Sequence, residues 1–215
     1  MTSQIAGTVT VIARVNKIDT KKTTQFIADQ SNGRIISVTP SAAPYIADGK
    51  TAVTFTAVVE DKNHNILPNA KIIWSTNRDQ QIVPINEVST TDNQGVAQTT
   101  VTSTQAFDVI VTARIGNESL DALPITFIAN NKQGLITLTT NKTELIADNK
   151  EQAILTAVVK DKFGNTLPNV TVEWQSSAST TLDKQKSVTD NQGQTTNKIP
   201  TQKSRCNRDY CHAFK

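Results

Sequence analysis

Ala47-Asp48-Gly49-Lys50 opens a stretch that continues through Thr56-Ala57-Val58-Val59-Glu60-Asp61-Lys62 and Leu67-Pro68-Asn69 to Trp74. The same succession returns as Ala147-Asp148-Asn149-Lys150, Thr156-Ala157-Val158-Val159-Lys160-Asp161-Lys162, Leu167-Pro168-Asn169 and Trp174, each element 100 positions later. A fixed period with matching order marks a repeated structural unit. The period is one small domain long, which points to beads in tandem rather than a helical or leucine-rich solenoid.

Each copy carries the same strand signal. In Val53-Thr54-Phe55-Thr56-Ala57-Val58-Val59, the residues Val53, Phe55, Ala57 and Val59 share one face, the alternation of a half-buried strand. Ala153, Leu155, Ala157 and Val159 fill that face in the second copy. Asp61-Lys62-Asn63-His64-Asn65 and Asp161-Lys162-Phe163-Gly164-Asn165 follow as turns. A second strand then runs to Trp74 or Trp174. Thr91-Asp92-Asn93-Gln94-Gly95 recurs as Thr189-Asp190-Asn191-Gln192-Gly193, now 98 positions later, so two residues are missing from a loop after Trp174. Further alternating strands are expected at Val109–Ile115 and Ile125–Ala129. About seven short strands per hundred residues, with turns between them, predict an all-β fold of tandem immunoglobulin-like Greek-key sandwiches. Phe55, Ala57, Val59, Trp74, Val109, Val111, Leu155, Ala157, Val159 and Trp174 are the expected core. Ala57 and Val111 stand where antibody-type domains carry their inter-sheet cystine.

The ends of the chain are read against this period. Val9, Val11, Ala13 and Arg14 match Val109, Val111, Ala113 and Arg114, and Phe26-Ile27-Ala28-Asp29 matches Phe127-Ile128-Ala129-Asn130. Residues 1–30 are therefore expected to be the last two strands of an earlier repeat, 33–130 a complete domain, and 134–203 an incomplete one. Residues 204–215 form an off-pattern tail, expected to be disordered. Arg205-Cys206-Asn207-Arg208-Asp209-Tyr210-Cys211-His212 does not alternate and holds both cysteines. The two partial repeats are complementary in content. They are either frayed ends or the means by which one chain completes the next, head to tail, by strand addition.

Composition narrows the function classes. Of 215 residues, 37% are hydrophobic and 19% charged, with a net charge of +3 and no long basic run, which gives no nucleic-acid footprint. No apolar run approaches a membrane span, and the start lacks the pattern of a signal peptide. The repeats contain no cysteine, so packing holds them.

These motifs in this order resemble the bacterial immunoglobulin-like group 1 domain, the stalk repeat of invasin- and intimin-type outer-membrane adhesins. The resemblance extends to about Lys203. It implies a structural stalk or spacer segment at the cell surface, supporting adhesion, with neighbouring repeats as partners and a host-cell receptor reached through the parent adhesin. The alternative is a module that itself contacts a receptor or glycan through loops or edge strands.

Candidate chemistry is sparse. His64 has Gly164 in its place in the second copy, so a catalytic base there would serve one repeat only. No enzyme constellation can be assembled. Cys206-x4-Cys211-His212 departs from zinc-ligand spacing, and no metal or cofactor is expected. Asp48, Asp148, Asp61, Asp161, Asp92 and Asp190 are recurrent turn carboxylates. Calcium between modules is one use for them, and capping of their own turns by backbone N–H bonds is the one favoured by a single carboxylate per turn.

Overall fold

The computed structural model describes residues 2–78, 82, 85–146, 150–177 and 182–200. Ala147-Asp148-Asn149 and the Cys206, Cys211 and His212 tail lie outside them. The chain divides into two compact units, Met1–Ile128 and Ala129–Lys215.

Unit 1 begins with a hairpin of β1 (Gly7–Val15) and β2 (Ile18–Phe26), paired antiparallel in continuous register from Gly7↔Phe26 to Val15↔Ile18. Its turn places Asn16 and Lys17 at positive φ, which a tight two-residue hairpin connection requires. A sandwich follows. One sheet orders β3 (Gly33–Pro40), β4 (Val53–Asp61) and β7 (Val96–Val101) with β4 central. The facing sheet is built from β5 (Lys71–Thr76), β6 (Val88–Thr90), β9 (Val111–Ile115) and β10 (Glu118–Asp121), in the order β10-β9-β5-β6. The short pair β8 (Asp108–Val109) and β11 (Ile125–Thr126) completes it.

The alternation seen in the sequence sets the faces. β4 alternates buried and half-buried residues along its whole length. Phe55, Ala57, Val59, Trp74, Val109 and Val111 are all buried in one core with Phe127, Leu67 and Ile72. Such burial is the main source of stability, at about 1.5–3 kcal/mol for each large apolar side chain. The Trp74 indole donates to Ser89 Oγ at 2.8 Å, so its one polar atom is satisfied inside the core.

The structure differs from the sequence pattern in two places. The run Val109–Ile115 is two strands, not one. The chain breaks at Ile110, whose N–H donates to Asn77 Oδ1 at 2.9 Å and whose carbonyl accepts from Asn77 N at 3.1 Å. Those bonds turn Ile110 to the neighbouring strand end and let β8 and β9 pair with different partners. The run Ile125–Ala129 likewise stops being a ladder at Thr126, and Ile128 instead bridges Ile46 in parallel.

Unit 2 repeats the first half of this plan. β12 (Gly134–Thr140), β13 (Gln152–Asp161) and β16 (Gln194–Pro200) form one sheet, and β14 (Thr171–Glu173) pairs with β15 (Lys186–Val188). Ala157, Val159 and Trp174 are buried with Leu167 and Val172, while Leu155 is half-buried against them. Trp174 donates to Ser187 Oγ at 2.7 Å, as Trp74 does to Ser89. One register difference separates the units. Ile36 is an extra residue where β3 bulges between Ile35 and Ser37, and β12 pairs straight through from Gly134 to Thr140.

Candidate functional site

The most elaborated polar feature lies where each chain segment enters a sandwich. β4 ends on Asp61 and β13 ends on Asp161, each only 1% exposed. A buried carboxylate is costly unless its lone pairs are filled. Both are filled in the same way. Asp61 Oδ1 accepts from Asn63 N at 2.8 Å and Asn65 N at 2.9 Å, and Oδ2 from Asn65 Nδ2 at 2.8 Å. Asp161 accepts from Phe163 N at 2.9 Å, Asn165 N at 3.0 Å and Asn165 Nδ2 at 2.8 Å. These are the turn-capping bonds that Asp favours.

The fourth donor in each set is not local. Asp61 Oδ2 accepts the backbone N–H of Asp29, and Asp161 Oδ2 that of Asn130, both at 3.1 Å. Asp29 and Asn130 cap the single 3-10 turns, Gln30–Asn32 and Asn131–Gln133, that lead into β3 and β12. The buried carboxylate thus fastens the entering linker to the end of the central strand. Burial pushes the Asp61 carboxyl up, and the donors outweigh it, so its pKa is lowered to about 2. Asp161 is lowered for the same reasons, with the Asn165 amide and the Asn130 N–H among the donors that overcome burial.

Asn65 extends the fastening in unit 1. Its Oδ1 accepts from Ala6 N at 2.7 Å and its Nδ2 donates to Gln4 O at 2.8 Å, which holds the lead-in of the β1–β2 hairpin. Gln30 Nε2 adds a bond to Pro68 O at 2.8 Å. The Leu-Pro-Asn turn is therefore also part of this end of the sandwich.

The remaining turn carboxylates cap locally. Asp92 accepts from Gln94 N and Val96 N, and Asp190 from Gln192 N and Gln194 N. Asp48 accepts from Lys50 N and Thr51 N. Gly95 closes its turn at φ 71°, where an added Cβ would lie 2.6 Å from Val59 O, and Gly193 occupies the same place against Val159 O. His64 sits at φ 64° in an exposed turn with Nδ1 3.0 Å from Glu60 Oε2; Gly164 takes φ 89° at the equivalent position. A shared need for positive φ explains the exchange of His for Gly. Among the described residues, no three His, Cys, Asp or Glu side chains gather as metal ligands. No helix among them is long and apolar enough to cross a membrane.

Fold and turn geometry together define a protein of repeated immunoglobulin-like units, in each of which the entering segment is bonded to the end of the central strand. The chain belongs to the bacterial Ig-like domain (group 1) family, whose model matches residues 35–128 and 135–205. It is similar to the inverse autotransporter adhesin YeeJ of Escherichia coli (strain K12), 28% identical over 185 residues. That match covers 83% of this chain and 8% of the relative, so the chain spans a small part of that protein's length. Among solved structures it is similar to invasin, described as a bacterial integrin-binding protein, with a TM-score of 0.61 at 18% identity. The match covers 91% of this chain and 40% of that one, and it shows the shared fold. The D0-D1 domain of intimin matches 79% of this chain and 85% of its own at 21% identity, with a TM-score of 0.42.

Proposed function

We propose that this chain is a non-catalytic spacer segment of a bacterial surface adhesin, whose task is to hold a binding part at a distance from the cell. The single observation that carries this reading is the repeated linker bond, Asp29 N–H to Asp61 and Asn130 N–H to Asp161. A spacer transmits force and position only if its linkers resist bending, and a linker fastened by a buried carboxylate loses the freedom of a flexible one. The family supports the adhesin context and, with it, a place at the bacterial outer membrane. A host receptor belongs to the parent protein under this reading. The fastened surface is spent on the chain's own linker, which favours spacing over receptor or glycan contact by this segment.

Pulsed electron spin resonance tests it on the full chain. Labels at Lys71→Cys and Lys160→Cys, with Cys206 and Cys211 changed to serine, report the separation of the two units. A narrow distance distribution that broadens in Asp161→Ala is expected. A wild-type distribution already as broad as that of a free Gly/Ser linker would overturn the spacer reading.

A further inference from the structure

Within unit 1 the chain enters and leaves the sandwich at opposite ends. Asp29 is bonded to Asp61 where β3 begins, and Gly33 stands opposite that same Asp61. β3 then runs to Pro40, roughly 23 Å away at about 3.3 Å per residue. The exit is held at that far end. Ile46 bridges Ile128 in parallel, with Ile128 N donating to Tyr45 O at 2.9 Å and Ala47 N donating to Ile128 O at 2.8 Å. Among the described residues, the strand pairs of unit 1 are all antiparallel, so this bridge stands apart from them.

The direction of pull decides what such a bridge bears. Tension applied ahead of β3 reaches Tyr45, Ile46 and Ala47 from their N-terminal side. Tension applied beyond Ile128 draws on that residue from its C-terminal side. Because the two segments run parallel, these pulls are opposed along the strands, and both bonds are loaded together in shear instead of opening one after the other. The entry and exit anchors carry the same tension in series, so the weaker one sets the limit. At the entry, β3 is laddered to β4 through seven register pairs, in addition to the Asp29 bond. At the exit, β11 has two pairs, Ile125↔Val109 and Thr126↔Asp108. The rest of the exit anchor is the bridge, the bond from Phe127 N to Phe107 O at 2.9 Å, and the Phe127 ring. That ring is 1% exposed, and its centroid lies 6.4 Å from that of Tyr45, so drawing the strand out means pulling a buried aromatic from the core.

We propose that the bridge from Tyr45 and Ala47 to Ile128, with Phe127 as its plug, is the mechanical clamp of unit 1. It keeps the exit strand seated when the unit is pulled from end to end. Ile128 acts here through its backbone, since its side chain is 49% exposed. The use of such a clamp under load rests on the spacer reading, but the clamp itself is a property of unit 1. Spin-label distances are read between the units and unfolding forces within one of them, so a broad distance distribution would remove the use and leave the clamp standing.

Optical-tweezers unfolding of the full chain tests it, with Cys206 and Cys211 changed to serine and handles on introduced cysteines. In Gln30→Cys/Asn131→Cys the unit is pulled from end to end and the bridge is sheared. In Lys50→Cys/Asn131→Cys both handles lie on the C-terminal side of the bridged segments, so the same bridge is opened from one end. At equal loading rate the end-to-end pair is expected to unfold at the higher force. Ile128→Pro removes one of the two N–H donors of the bridge. Its unfolding rate at a fixed end-to-end force should rise about fivefold, the effect of losing one net hydrogen bond that holds the folded side of the barrier. Equal unfolding forces in the two geometries overturn the proposal. So does an Ile128→Pro chain, folded by circular dichroism, that unfolds end to end at the wild-type rate. If that variant does not fold, the comparison of the two handle pairs decides alone.

Discussion

Asp61 shows how much one side chain holds at the residue scale. Replacing it with alanine leaves the N–H groups of Asp29, Asn63 and Asn65 without an acceptor, and a buried donor left unpaired costs about 1–3 kcal/mol. Asp61→Ala is therefore expected to lower unfolding free energy by at least that much in urea titrations followed by Trp74 fluorescence, and to loosen the hairpin lead-in. The pH dependence has a definite sign. The folded pKa is depressed from 3.8 to about 2, so the carboxylate's contribution is fully present above about pH 4 and is lost as pH falls from there through 2. Asp161 acts in the same direction. The stability difference between wild type and Asp61→Asn should shrink across that window; a difference independent of pH would show that the charge is not what holds the linker. Gly95 makes a separate prediction. At φ 71°, and with Val59 O only 2.6 Å from where an alanine methyl would stand, Gly95→Ala should destabilise by about 1–3 kcal/mol, and Gly193→Ala similarly.

The two tryptophan strands differ at the scale of the element. β5 runs to Thr76 because β9 supplies a ladder as far as Val111, and β14 ends at Glu173 with no such neighbour among the described residues. Each indole is nonetheless buried and hydrogen-bonded to a serine. Trp74→Ala should cost about 3–5 kcal/mol, the range for truncating a large buried aromatic. Trp174→Ala should cost less, because among the described residues β14 is paired along one edge only. Denaturant midpoints of the two variants give the comparison, and equal costs would mean that enclosure by β9 contributes nothing to the tryptophan site. The β3 bulge at Ile36 belongs to this scale too. Deleting Ile36 should leave the β3–β4 ladder pairing as β12 and β13 do, detectable as continuous protection of β3 amides in hydrogen exchange.

Unit 1 and unit 2 have unequal cores at the scale of the whole molecule. Among the described residues, unit 1 encloses Phe55, Phe127 and Ile72 completely, whereas unit 2 has a smaller cluster and exposes Leu135, Ile136 and Leu138. Less apolar burial means less stability against the same entropy of ordering per residue. Unfolding should therefore proceed in two steps, with unit 2 melting first. One tryptophan lies in each unit, so Trp74→Phe and Trp174→Phe chains separate the two transitions by fluorescence. Coincident transitions would show that the units fold as one cooperative body.

The repeat, the strand faces, the turn glycines and the tryptophans were legible in the residues alone, because each depends on neighbours one to a few residues away. Alternation at period two fixes which of Phe55 and Thr56 turns inward, and a turn that needs positive φ selects Gly95 or Asn69 wherever it occurs. The recurrent aspartates were legible as turn caps for the same reason. That Asp61 also grips Asp29, 32 residues earlier, comes from the folded chain, since no local pattern encodes which distant N–H fills the last lone pair of a buried carboxylate. The folded chain likewise decided the break at Ile110, where alternation is unbroken in sequence but Asn77, 33 residues away, claims the backbone. The open face of β12 is also tertiary. Ile136 and Leu138 stand opposite buried Val159 and Ala157 and so face inward as Ile35 and Val38 do on β3, yet they are exposed among the described residues.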